Sequence, residues 1–225
     1  MTNGTGPIIG VIGGTGHLGA ALARRWAKHG HTVVIGSRDA DKARAAAQAL
    51  GAELEREIAS GTNAAAASQA DIVVVTVPFA SQAAVLEEIR PAVAGKIVVD
   101  TTVPLVPPKV MRVQLPPEGC AALRAQALLG EGVRVVSAFH NVAAHKLATD
   151  VDVECDVLVF GDDKDARETI RQLADDAGLR GLHAGALANS AAAEALTSIL
   201  IFMNRNYAVD GAGIRITGEL AAVAG

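Results

Sequence analysis

"PIIGVIGGTGHLGAALARRWAKHGHTVVIGSRDADKAR", residues 7–44, reads as a strand, a glycine turn, a helix and a second strand in direct succession. The apolar run 7–12 precedes "GGTGHLG", a helical pattern covers His17 to His29, and "HTVVIG" at 31–36 is β-branched and apolar. Gly14, Gly16 and Gly19 hold GxGxxG spacing at the turn. In such a turn the first glycine permits the tight bend, the second lets the backbone approach a pyrophosphate, and the third lets helix and strand pack closely. Thr15, His17 and Leu18 fill the other positions of this loop and helix start. Unpaired N–H groups there, with the helix dipole behind them, favour anions. A lone GxGxxG is a weak signal, but a strand before it, a helix after it and a second strand at the right distance make it a dinucleotide-binding unit.

The end of the second strand separates two dinucleotides. An NAD enzyme carries Asp or Glu here to accept from the ribose 2′-hydroxyl, and that carboxylate would repel a 2′-phosphate. This chain places Ser37 and Arg38 at the site, with Lys42 one helical turn on. Arg offers a planar fork to phosphate oxygens, Ser a hydroxyl donor and Lys a mobile point charge. The competing reading makes Arg38 and Lys42 solvated charges paired with Asp39 and Asp41. A cation and a hydroxyl at the position of a 2′-phosphate point to NADP(H) as the cofactor.

Further along, strand and helix patterns keep alternating, which builds βαβ units. The spacing predicts helices over about 39–50, closed by Gly51, and over alanine-rich 63–70, then a buried strand "IVVVTV" (72–77) ended by Pro78. A helix over 81–89 and the strand "KIVVDTT" (96–102) follow, and residues 103–119 hold five of the eight prolines, a surface loop. Beyond it come a helix near 118–129, strands at 133–139 and 155–161, a helix over 164–177, a short connection "GLRGLHAG" (178–185) and a last helix over about 188–207. The fold class is α/β, a Rossmann-type doubly wound parallel sheet with a smaller C-terminal α/β domain. Residues 1–137 are read as the NADP-binding domain and 138–225 as the smaller one.

Composition narrows the function. A net charge of -4 and only 3% aromatic residues give neither the basic face nor the stacking surface of a nucleic-acid binder. Cys120 and Cys155 lack CxxC or metal-type spacing, so no disulfide framework or metal site is expected, and a reducing cytoplasm is the plain reading. The N-terminus has no basic segment and breaks its apolar run with glycines, unlike a leader or membrane span, and "ALTSILIFM" (195–203) is roughly half the length a span needs.

"GGTGHLG", "GSRDADKA", "TVPF", "DTTVPLVPP", "VVSAFHNVAA", "FGDD" and "ANS…EALTSIL", in that order, resemble the NADPH-dependent F420 reductases, from about Ile8 to Leu220. The resemblance implies a Rossmann domain that binds NADP and a C-terminal domain that completes a cleft for the 5-deazaflavin F420. It also implies direct hydride exchange between nicotinamide C4 and deazaflavin C5, in a homodimer. Thr15 and Gly16 match the pyrophosphate loop, and Ser37, Arg38 and Lys42 the 2′-phosphate site. Val77, Pro78 and Phe79 match the segment lining the nicotinamide side. His140 matches the family histidine near the deazaflavin, a hydrogen-bond donor to its polar edge, with Val142 and Ala143 beside the ring. Some relatives have Trp where Phe79 stands and Thr-Ile-Pro where Asn141 to Ala143 stand.

Hydride transfer between two cofactors needs neither a protein nucleophile nor a metal; the protein stacks the rings and excludes water. Read from the residues alone, an isolated histidine at a strand end, as His140 is, is first a structural one. Asn189 and Ser190 are read first as caps of the last helix and second as ligand contacts, Phe202 and Met203 as core, and Asp162 and Asp163 as a turn and helix start. Lys109, Arg112, Lys146 and Arg205 could steer the anionic F420 tail or be solvated surface charges. Two other functions fit the motifs: an NADP-dependent reductase of a small carbonyl or imine, and a non-catalytic NADP sensor.

Overall fold

The structure, a computed structural model, describes residues 6–221; the first five residues, part of the stretch read as neither leader nor span, lie outside the described residues. Eight strands, β1 (Ile9–Ile12), β2 (Val33–Ser37), β3 (Ala59–Thr62), β4 (Ile72–Val75), β5 (Ile97–Asp100), β6 (Arg134–Ser137), β7 (Asp156–Gly161) and β8 (Arg180–His183), form one sheet. Its order is β3-β2-β1-β4-β5-β6-β7-β8. Pairing is parallel from β3 to β6, in registers such as Val11 beside Ile35 and Val74, and Val99 beside Val136. β7 runs antiparallel to β6, joined over only two residue pairs, and β8 is parallel to β7. The parallel part of the sheet ends with β6 at Ser137, and the sheet continues through β7 and β8.

The helices are α1 (His17–His29), α2 (Ala40–Leu54), α3 (Asn63–Gln69), α4 (Phe79–Ile89), α5 (Ala121–Leu129), α6 (Ala144–Leu147), α7 (Lys164–Asp176) and α8 (Ser190–Tyr207). Among the described residues, none is long and apolar enough to cross a membrane. On α1, Leu22 and Trp26 recur at helical spacing on the buried face. Left-handed Gly30 stops the helix, its N–H returning to the Trp26 and Ala27 carbonyls. α7 does likewise with Ala166, Ile170, Leu173 and Ala174, and Asp163 caps its start through the Ala166 N–H, as the turn reading expects.

One apolar core spans both halves of the chain. The Trp26 ring is fully buried edge-on to Phe139, with centroids 5.9 Å apart, and its Nε1 donates to the Leu173 carbonyl at 2.8 Å. Arg25 donates to the carbonyls of Leu147, Thr149 and Val151, and His29 and His31 both reach Asp176. These contacts lock α1 to the C-terminal third of the protein.

Several expectations change. α2 runs through Gly51 to Leu54 and turns at left-handed Glu55; Gly51 serves a close approach, since a Cβ there would lie 2.7 Å from the Arg56 carbonyl. "GLRGLHAG" contains β8, where Gly181 lets α7 lie against the strand, and β3, "ASGT", is a half-exposed edge strand with no apolar pattern to announce it. α4 begins at Phe79, directly after Pro78, whose fixed φ suits a helix start. Phe202 and Met203 are exposed, not core. Asn189 and Ser190 do not cap α8: the Asn189 amide bonds the Ala184 carbonyl and the Ser190 hydroxyl points into the interior.

Candidate active site

The carboxyl ends of the parallel strands carry the candidate residues, and strand order reverses at β1 and β4, where open α/β sheets bind their ligands. A cavity of about 180 Å³ opens there, lined by Gly13, Thr15, Gly16, Ser37, Arg38 and Thr76 together with Val77, Pro78, Asn63, Ser81 and Val85. The left-handed residue of the turn is Gly13 (φ 73°), one position before the expected Gly14. Gly14 is required for space, since a Cβ would meet the Val11 carbonyl at 2.8 Å. At Gly19 a Cβ would collide with the Thr76 hydroxyl and approach the Gly14 Cα to 2.9 Å, so this glycine sets how closely α1 approaches the sheet.

The helix start at Gly16 has no side-chain cap and no acidic residue in the first turn of α1, so its N–H groups face the loop unpartnered by side chains. His17 is exposed there, whereas Leu18 packs against the core and supplies only backbone. At the end of β2, Ser37 is buried and its oxygen accepts from the Asp39 N–H at 3.2 Å, which leaves its proton to donate. Neighbouring acids are engaged elsewhere: Asp39 caps α2, and Asp41 pairs with Arg44. Lys42 reaches Asp39 only at 3.9 Å with 74% of its side chain exposed, and it does not line the cavity. Phe79 also stands apart, its ring under the Arg124 guanidinium at 4.7 Å.

His140, Val142 and Ala143 line a second cavity, of about 160 Å³, with Asn141, Thr197, Asn204 and Gly211 among its other walls. α8 anchors this loop: Asn141 Nδ2 donates to the Ala193 carbonyl at 3.0 Å and to Thr197 Oγ1 at 2.9 Å, while Thr197 Oγ1 donates to the His140 carbonyl at 3.1 Å. Left-handed Phe139 (φ 66°) turns the chain out of β6 into the loop. Burial pushes the His140 imidazole down to about 3, so the ring is neutral.

A family model described as NADP oxidoreductase, coenzyme F420-dependent, matches residues 8–104. The F420-dependent NADP reductase of Methanothermobacter thermautotrophicus is 42% identical over 218 residues, covering 93% of this chain and 94% of its own. That of Methanothermobacter marburgensis is 39% identical over 218 residues, covering 93% and 97%. This chain belongs to the F420-dependent NADP reductase family. A crystal structure from Arthrobacter sp. FB24, proposed to be an F420-dependent NADP-reductase, shares the fold at TM-score 0.78 and 24% identity, covering 95% of this chain and all of its own.

Within this reductase fold, the sequence reading missed Gly13, Asn63, Ser81 and Thr197. Asn63 left the least signal: it lies in an alanine-rich segment, yet it is buried and its Oδ1 accepts from the Gly13 N–H at 3.2 Å, bracing the glycine turn from α3. The motif EALTSIL did contain Thr197. Lys109, Arg112 and Arg205 are exposed and Lys146 is half-buried. His29, His31 and Asp176 place ligand-type atoms within 4.8 Å of one another, a group the sequence reading did not single out, away from both cavities and already joined by hydrogen bonds.

Proposed function

We propose that this protein transfers a hydride reversibly between NADP(H) and the deazaflavin coenzyme F420. The observation that carries the proposal is similarity to F420-dependent NADP reductases over almost the full length of both chains, at 42% identity. The first cavity takes NADP(H): the glycine turn and the start of α1 hold the pyrophosphate, Ser37 and Arg38 hold the 2′-phosphate, and Lys42 adds a more distant charge. Val77 and Pro78 line the nicotinamide side, with Phe79 behind them. The second cavity takes the deazaflavin, with His140, Val142 and Ala143 against the ring, so that residues 138–225 complete the cleft begun by 1–137.

The organic chemistry belongs to the two cofactors, and the chain supplies placement. Holding the reacting carbons about 3–3.5 Å apart in a water-poor cleft removes the orientational entropy of a two-body encounter. No side chain has to form a bond. Polar residues at the cleft therefore act by fixing position and by handling the one proton the overall reaction releases or takes up.

The working unit is a homodimer in the cytoplasm. Ile199, Phe202, Met203 and Tyr207 on α8 and Val106, Met111 and Val113 on the proline-rich loop are all exposed apolar side chains that a second subunit would cover. A second copy of the chain is the occupant that family membership favours. Light scattering of purified protein should give twice the chain mass, and Phe202→Glu should shift it towards the single chain; a wild-type protein of single-chain mass would rule the dimer out. Activity is tested by mixing the protein with NADPH and oxidised F420, for which loss of the deazaflavin's visible absorbance is the expected result.

A further inference from the structure

Behind His140 lies a buried polar chain with no part in the binding sites described above. His140 Nε2 is 2.7 Å from Ser137 Oγ, Ser137 Oγ is 2.6 Å from Ser190 Oγ, and Ser190 Oγ donates to Glu194 Oε1 at 2.9 Å. All four side chains are buried, Ser190 completely. The chain joins the end of β6 to the start of α8. Its far end is a carboxylate held at the start of α5, where Oε2 accepts from the Ala121 N–H at 2.6 Å and Oε1 from the Ala122 N–H at 3.1 Å.

Proton counting fixes the direction of these bonds. A hydroxyl has one proton to give. With Glu194 ionised, Ser190 gives its proton to the carboxylate, so its oxygen accepts from Ser137, whose oxygen accepts from His140 Nε2–H. The neutral ring then offers Nδ1 as an acceptor. With Glu194 protonated, every bond reverses: Glu194 donates to Ser190, Ser190 to Ser137, and Ser137 to Nε2, so the neutral ring carries its proton on Nδ1. The two states differ by one proton at Glu194 and by the tautomer of a histidine 54 positions earlier in the chain.

We infer that Ser137, Ser190 and Glu194 form a proton relay, which passes the proton of the hydride-transfer reaction between His140 and a buried carboxylate. The inference rests on the F420 reading of the second cavity. For reduction of NADP+, the hydride leaves deazaflavin C5 for nicotinamide C4, and the proton on the reduced deazaflavin's ring nitrogen goes to His140 Nδ1. The Nε2 proton passes to Ser137, that of Ser137 to Ser190 and that of Ser190 to Glu194, so His140 ends neutral in its other tautomer. The reverse reaction runs the same transfers backwards and delivers a proton from Nδ1. Glu194 and the two serines touch neither cofactor and act through His140 as positioning residues.

The setting of Glu194 suits a carboxyl that must both hold and release a proton. Burial pushes it up to about 7, helped by the Asp100 carboxylate on β5, while the Ala121 and Ala122 N–H groups and the Ser190 hydroxyl pull it down. Asp100 is itself pushed up to about 6 by burial, against hydrogen bonds from Thr102 and Gln82 and the positive charge of Arg124 on α5. Cys120, the remaining titratable group at the start of α5, is pushed up to about 11 by burial and stays neutral. Glu194 and Asp100 both change charge near neutral pH, and of the two it is Glu194 that is hydrogen-bonded to Ser190 and so joined to His140.

The test needs no cofactor. Protein labelled with 15N-histidine is titrated from pH 5 to 9, and two-dimensional spectra report which nitrogen of His140 carries the proton, with His140→Gln used to assign its signal. The relay requires the proton to move from Nδ1 to Nε2 as pH rises through neutrality, the ring remaining uncharged. Glu194→Gln should abolish that switch. Ser190→Ala, which keeps the carboxylate and its two backbone donors and so guards against misfolding of the first variant, should uncouple His140 from Glu194. It should also lower kcat for NADP+ reduction about 100-fold and remove the near-neutral limb of its pH profile. A single tautomer across the range, an imidazolium appearing within it, or a switch that survives in both variants would overturn the relay. The F420 reading fails separately, by an absent bleach in the absorbance assay, whatever the spectra show.

Discussion

Arg38→Ala should separate NADPH from NADH. The Arg38 guanidinium stands at the rim of the first cavity next to buried Ser37, and the nearest acids in sequence are committed to the α2 cap and to Arg44. A charge-assisted bond to a phosphate contributes about 1.5–3 kcal/mol, and exposure places Arg38 near the lower half of that range. About 2 kcal/mol corresponds to roughly 30-fold in kcat/KM at about 1.4 kcal/mol per tenfold. NADH lacks the phosphate, so its kcat/KM should change by less than about twofold. Lys42, three-quarters exposed and 3.9 Å from Asp39, should matter less, within about fivefold on replacement by Ala. The assay is steady-state reduction of saturating F420 with each nicotinamide in turn. Equal losses with NADPH and NADH would show that Arg38 supports the fold or the common phosphates and would refute the 2′-phosphate assignment.

Gly19→Val should push α1 off the sheet, because its side chain has no room beside Thr76 and the Gly14 Cα; a lower thermal midpoint and a raised NADPH KM are expected, and an unchanged KM would count against the close approach. Trp26→Ala removes the ring that joins α1, Phe139 and α7 and should cost about 3–5 kcal/mol in chemical denaturation. Burial raises Asp100 to about 6, above its unfolded value, so its contribution to stability is complete below about pH 4 and is lost as pH rises through 6. Asp100→Asn should therefore gain stability relative to wild type between pH 4 and pH 8; a mutational change equal at both pH values would contradict that linkage.

Much of the fold was legible because residues 7–100 combine buried β-branched strands with helices of clear period and a glycine turn whose spacing follows from phosphate geometry. Elements that escaped had weak patterns for physical reasons. β3 is a half-exposed edge strand and β8 has Gly181 where an apolar residue would have announced it. The site divides the same way. Ser37 and Arg38 could be read from chemistry at a known strand end, whereas Asn63 works by bracing the turn and Glu194 by a contact 73 residues distant in sequence, which no local pattern records. Phe202 and Met203 read as core since an apolar pair on a helix gives the same local pattern whether it faces the interior or the surface.

One protein brings NADP(H) and F420 together for hydride exchange. Purified protein is mixed with NADPH and oxidised F420 while the deazaflavin's visible absorbance is followed, with NADH in place of NADPH and FMN in place of F420 as parallel arms. Bleaching with NADPH and F420, much slower bleaching with NADH in place of NADPH and none with FMN in place of F420, is the result expected here. NADPH binding with no bleaching of F420 would contradict it.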